Sequence, residues 1–232
     1  MRITPIGSGR LSLVKIEIIQ PYARLLYPEN REQGIHLLRT VEAHGRISHR
    51  SEGKQTETSW ARFIQAVVLN RGDWSITQHV HLTAEVMCDR AIGEEWLRHR
   101  IGEYTKESTR FVNYTQEDHP LKVIYPREGE PNIDWIEAMY TAAGHYQLLI
   151  GKGWTPEDAR TVLPLGTAAL FRCTYALSMW RYVFLMRTTQ EAHHQIRDLM
   201  TNLLIQFQAR IPLLYDDIEP GARQRENLKK PR

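Results

Sequence analysis

The spacing of apolar residues switches between strand and helix period several times along this chain, and that alternation limits it to a mixed architecture. Leu11 to Ile18 alternates as a half-exposed strand does, with Val14 and Ile16 on one face. Ile35, Leu38 and Val41 recur at helical spacing, and Gly45 is placed to end that helix. Glu57 to Asn70 reads as a second amphipathic helix, with Trp60, Ile64 and Val67 inward and Gly72 beyond its end. Val80 to Cys88 reads as a strand, and Asp89 as the N-cap of a short helix carrying Glu95 and Arg98.

The second half continues the alternation. Thr109 to Thr115 is rich in β-branched and aromatic residues, and Val123 to Tyr125 is a short strand candidate. Pro120, Pro126 and Pro131 make the Asp118-to-Asn132 region loop-rich. Ile136, Met139, Ala143, Tyr146 and Ile150 mark a long helix, and Thr155-Pro156-Glu157-Asp158 starts another, with Thr as cap and Pro at the first helical position. Leu170 to Tyr175 is a further strand candidate, and two helices follow, the last carrying Ile196, Leu199, Leu203 and Phe207. No internal repeat, Gly-rich phosphate loop or heptad array interrupts this pattern. The class is α+β, with helices outnumbering strands.

A chain of 232 residues has room for a sizeable core. Residues 1–220 are expected as one domain. From Gly221 onward the chain carries Arg223, Arg225, Lys229, Lys230 and Arg232 against Glu226 alone, which predicts a disordered basic tail over 221–232. No apolar run reaches bilayer length and the N-terminus lacks a charged-then-apolar signal, so a cytoplasmic protein with no membrane partner is expected. Cys88 and Cys173 lie in apolar stretches with no His or Cys neighbour at metal spacing, which predicts buried free thiols. His79 and His81 have the spacing of a metal pair on a strand, but no third ligand stands at suitable spacing, and a core or interface role is expected.

The chemistry concentrates in residues 98 to 110. Arg98-His99-Arg100 is followed, after a seven-residue gap, by Ser108 and Arg110. Arginine forks bind phosphate and carboxylate bidentately, and a serine hydroxyl adds a neutral donor. A solvated basic turn would have the same composition. A nucleic-acid contact through this cluster and the basic tail is the alternative from another class, but the tail has no interleaved aromatics.

Arg98-His99-Arg100 with Ser108-x-Arg110 resembles the signature of the flavin-dependent thymidylate synthases. Gly72-Asp-Trp-Ser75-Ile-Thr-Gln-His79, Cys88-Asp89-Arg90, Glu95-Trp96-Leu97-Arg98, Ala159-Arg160-Thr-Val-Leu163-Pro164, Leu185-Met186-Arg187 and Ala192-His193 are similar to further blocks of that family, in family order. The resemblance implies a small, mainly antiparallel β-sheet packed with several helices. It implies bound FAD, NADPH and methylenetetrahydrofolate as co-substrates, reductive methylation of dUMP to dTMP, and a homotetramer with shared active sites. The folate-only thymidylate synthases carry a Pro-Cys-type nucleophile, which this chain lacks.

Carried over residue by residue, the resemblance places Ser108, Thr109 and Arg110 on the phosphate, with Lys106 and Glu107 also expected to bind the substrate. It turns Glu95, Arg98 and Arg160 toward the nucleotide and sets Arg187 at the pyrimidine edge, where a fixed cation stabilises developing charge. Arg160 has Glu157 one short turn away as a competing partner. Ser75, Arg98, His99, Arg100 and Ile101 match flavin-contacting positions, and Tyr182 is expected on the cofactor as a substitute for polar groups lost at neighbouring positions. The chain departs from the family at Asp73, Trp74, Gln78, Glu103, Lys106 and Phe111. Ala176 and Ser178 stand where many members have Asn and Arg facing the flavin. A divergent enzyme acting on another pyrimidine nucleotide and an inactive flavoprotein are therefore alternatives.

Overall fold

The computed structural model describes residues 15–221. In chain order these form β1 (Ile16–Ile18), β2 (Tyr22–Leu25), α1 (Arg31–Ile47), α2 (Ser59–Phe63), β3 (His81–Asp89), α3 (Arg90–Leu97) and β4 (Glu103–Lys106). There follow β5 (Leu121–Val123), α4 (Ile133–Gly151), α5 (Pro156–Ala159), β6 (Ala168–Ala176), α6 (Leu177–Arg187) and α7 (His194–Arg210). The α+β expectation holds. Among the described residues no helix is long and apolar enough to cross a membrane. The Leu11-to-Val14 part of the first expected strand and the basic residues from Arg223 onward lie outside the described residues.

Two compact units make up this chain. The larger comprises Gln20–Glu107 and the chain from Ala169. Its four-stranded sheet has the order β2-β3-β6-β4, with β2–β3 and β4–β6 antiparallel; Tyr22 faces Met87 and Glu103 faces Thr174 across those ladders. Strand alternation sends Leu25, Ala84, Val86, Phe171 and Cys173 into a core shared with Leu38, Trp180, Phe184, Leu203 and Phe207. On the strands' other face, Glu85 is buried under two guanidinium forks: Arg24 Nη2 lies 2.6 Å from Oε1 and Arg172 Nη2 2.9 Å from Oε2. Burial alone would raise the Glu85 pKa, but the Arg172 and Arg24 hydrogen bonds outweigh it and hold the carboxyl below its usual range.

The smaller unit comprises the described residues up to Ile19 together with Ser108–Ala168. Here β1 and β5 pair in parallel, Ile16 opposite Leu121. Leu121, Val123, Met139, Ala143, Tyr146 and Ala159 form its core, which α4 and α5 cover. Thr155 caps α5 as expected, its Oγ1 accepting from Asp158 N at 3.3 Å.

Several local expectations need correction. Gly45 does not end α1, which runs to Ile47; a Cβ there would lie 2.6 Å from the Phe63 ring, so the glycine permits close helix packing. The expected second helix begins as α2 and continues as a π-helical stretch over Ile64–Asn70, which turns Val68 rather than Val67 deepest into the core. Thr109 to Thr115 forms turns, and the strand lies earlier, at β4, where alternating residues find β6 as partner. The later strand stops at Val123, because Ile124 N donates instead to Gly166 O. His79 closes a 3-10 turn and stacks on His44, so of the two histidines only His81 stands on β3.

Candidate functional site

The Arg98-His99-Arg100 turn follows directly from α3, whose start is fixed by Asp89. Asp89 Oδ1 accepts from Ile92 N at 2.8 Å and Oδ2 from Gln195 Nε2 at 3.0 Å. The helix is anchored from below by Trp96, fully buried, whose indole N–H donates to Tyr175 OH at 3.2 Å. The hydroxyls of Tyr175 and Tyr104 bond each other, and Tyr104 OH donates to the His99 carbonyl at 2.7 Å. A hydroxyl chain from core to backbone therefore holds the turn. Burial pushes the Tyr104 hydroxyl up to about 12 and Tyr175 higher still, so both remain neutral donors. Gly102 passes so close to β6 that a Cβ would sit 2.1 Å from the Tyr175 ring and 2.2 Å from Thr174 O.

Within this turn the side chains alternate. Arg98 and Arg100 are exposed and have no carboxylate partner among the described residues, while His99 is buried between them. His99 Nε2 accepts from Arg187 Nε at 2.9 Å, which assigns its ring proton to Nδ1. Burial, reinforced by the Arg187 charge, lowers the His99 pKa to about 4. Arg187 Nη1 also donates to Glu95 Oε1. The Glu95 carboxylate thus has a cation, and Arg187 is fixed from two sides. Both side chains stay partly accessible, at 22% and 30%.

Other expected residues of the larger unit have different surroundings. Lys106 turns away along α3, with Nζ 2.9 Å from Glu94 Oε1 and passing over Gly93. Glu107 N donates to Leu170 O, ending β4. Ile101 packs against the core. Ser75 is exposed on the 3-10 turn Trp74–His79, and Tyr182 is 41% exposed on α6; neither shares a hydrogen bond with the Arg187 group. Ser178 Oγ and the Arg90 Nε and Nη2 are buried with no hydrogen-bond partner among the described residues, a property the sequence does not announce.

The second expected group lies in the smaller unit. Ser108 O accepts from Phe111 N and Val112 N, closing a turn, and Ser108 Oγ accepts from Arg110 N at 3.3 Å. Thr109 is buried, with Oγ1 accepting from Arg160 Nη1 at 3.4 Å. Arg160 Nε donates to the Glu157 carbonyl at 3.0 Å. The Glu157 carboxylate goes to Arg110 instead: Nε to Oε1 is 2.8 Å and Nη2 to Oε2 is 3.2 Å. The sequence names Glu157 as a partner for Arg160, and the structure splits it between both arginines. Ser108, Thr109, Arg110 and Arg160 are therefore one cluster, with Glu157 at its centre.

Comparison with known proteins gives these groups a context. The flavin-dependent thymidylate synthase of Pyrococcus furiosus is 27% identical over 158 residues, covering 66% of this chain and 63% of its own length. That of Geobacter sulfurreducens is 27% identical over 158 residues, with 66% and 68% covered. The chain thus spans a little under two thirds of the Pyrococcus relative. Among solved structures, the UMP/dUMP methylase PolB from Streptomyces cacaoi, bound with 5-Br dUMP, superposes with a TM-score of 0.68 at 18% identity, over 87% of this chain and 95% of its own. Thymidylate synthase X from Helicobacter pylori, with FAD and dUMP, gives 0.65 at 14% identity, over 85% and 98%. At these identities the structural likeness shows the fold. Residues 17–213 match the family model described as thymidylate synthase complementing protein, and the chain belongs to that family.

Proposed function

We propose that the protein is a flavin-dependent thymidylate synthase, converting dUMP to dTMP with methylenetetrahydrofolate, FAD and NADPH. The observation that carries this reading is the fixed Arg187. It is held by Glu95 on α3 and by neutral His99 on the turn that exposes the forks of Arg98 and Arg100, which have no carboxylate partner among the described residues. A guanidinium locked before substrate arrives stabilises charge on a pyrimidine carbonyl without reorganising.

The residues fit an anionic dinucleotide. Arg98 and Arg100 offer permanent charges to its pyrophosphate, and Ser178 Oγ is a buried polar group with no partner among the described residues. When bound, FAD reduced by NADPH supplies the hydride that completes the methyl group. The chain's own part is binding and electrostatics. Ser108 and Arg110 receive the phosphate, with Arg160 beside them, and Arg187 donates to the ring. Nucleophilic activation by thiolate is not available to it: burial pushes Cys88 and Cys173 up to about 12. Ring activation then rests on Arg187.

A cytoplasmic homotetramer with shared sites completes the reading. One feature favours a second reading, a divergent methyltransferase for another pyrimidine nucleotide: Lys106, at a departure from the family motif, is committed to Glu94. Purification followed by an absorption spectrum tests the main reading. Flavin bands that shift when dUMP is added support it, and turnover of dUMP above UMP separates it from the second. A colourless protein that gains no bands when FAD is supplied would refute it.

A further inference from the structure

The Arg110 fork is already occupied. Glu157 reaches it with both carboxylate oxygens, at 2.8 and 3.2 Å, in the bidentate geometry that an arginine gives to a phosphate. The pair is about half exposed, 50% for Arg110 and 48% for Glu157, so solvent and solutes reach it. The guanidinium also lies over the Phe111 ring, 5.4 Å from its centroid, which restrains its plane. Glu157 is held independently of its carboxylate, because its own carbonyl accepts from Arg160 Nε and α5 carries it behind the Thr155 cap. Its side chain can therefore leave Arg110 without unfolding anything around it.

We propose that Glu157 is an internal stand-in for phosphate, and that a nucleotide 5′-phosphate enters this cluster by exchanging with its carboxylate. This rests on the reading that Arg110 receives the phosphate. Two consequences separate exchange from simple binding to an open arginine. First, Glu157 opposes every ligand that needs Arg110 and leaves indifferent any ligand that does not. It thereby sets how tightly phosphate is held, and eases departure of the phosphorylated product. Second, one ion pair replaces another, so phosphate entry releases few counterions and depends weakly on salt. An open fork would bind with a steeper salt dependence.

The test compares the full-length wild type with Glu157→Gln, Glu157→Ala and Arg110→Ala, titrated with dUMP and deoxyuridine at several salt concentrations, and with inorganic phosphate as competitor. Exposed ion pairs are weak, so both Glu157 variants are expected to bind dUMP about two- to fivefold more tightly. They should bind deoxyuridine as the wild type does, show a steeper salt slope for dUMP, and be more sensitive to inorganic phosphate. Unchanged or weaker dUMP binding in both Glu157 variants would overturn the exchange and leave Glu157 as a brace for the arginines. Unchanged dUMP binding in Arg110→Ala would remove the phosphate reading itself, and the exchange with it.

Discussion

Arg187 and His99 meet through one hydrogen bond of 2.9 Å, from guanidinium Nε to ring Nε2, and that bond makes the histidine a neutral acceptor beneath a permanent cation. Glu95 closes the other side. The arrangement resolves what a histidine between two arginines is for in this chain: it aims a third.

Arg187→Lys should expose the need for that fork. Lysine keeps the charge but cannot satisfy His99 and Glu95 from fixed positions while also serving a ligand. Turnover of dUMP is expected to fall by about a hundredfold or more, with flavin absorbance retained. Wild-type turnover in a folded Arg187→Lys protein would refute the role given to Arg187.

His99 predicts an acid-side loss of stability. Its pKa is about 4 in the fold against an ordinary value of 6.5, so the unfolded chain binds the proton first as pH falls. The stabilisation is complete above pH 6.5 and is lost progressively toward pH 4, up to about 3 kcal/mol. Thermal melts at a series of pH values should show this slope in the wild type and a flatter one in His99→Gln.

Glu85 acts in a lower window. Its depressed carboxyl contributes stability that is present above pH 4.5 and is lost as pH falls through its folded value. Glu85→Gln leaves Arg24 and Arg172 facing each other with no counter-charge. Because both arginines are 60% exposed, the expected cost at neutral pH is modest, about 1–2 kcal/mol, read from denaturant melts.

Gly102→Ala tests the close approach beneath the arginine turn. The added methyl meets a backbone carbonyl at 2.2 Å, which cannot rotate away as a side chain would. A loss of about 1–3 kcal/mol is expected, with weakened flavin retention because the Arg98–Arg100 turn must move. Gly53→Ala, where a Cβ meets nothing within 4 Å, is the matched control.

What could be read in the sequence was what is local. Asp89 and Thr155 announce their helices because a cap needs only the next three residues, and Gly72, at φ +81, marks a helix end. Strand β4 hides because Glu103-Tyr-Thr-Lys106 becomes a strand only through β6, which arrives more than sixty residues later. Thr109 to Thr115 has strand composition but no ladder partner, and it turns. The arginines were visible as spacing, and Glu157 as a neighbour of Arg160, whereas the long-range partners were not. His99 and Arg187 are 88 residues apart, Arg110 and Glu157 are 47 apart, and no local rule joins them.

The parallel pairing of β1 with β5 sets a timetable for the chain. Ile16 is among the first described residues to leave a ribosome, yet Leu121, its partner, follows about a hundred residues later, and closing so long a loop costs entropy before any ladder bond forms. In the interval the chain from Gln20 to Glu107 is synthesised with its own β2–β3 ladder available at much shorter range. The first described strand thus waits about a hundred residues for its partner, and a nascent chain halted before Leu121 carries β1 as an unpaired edge, open to another polypeptide.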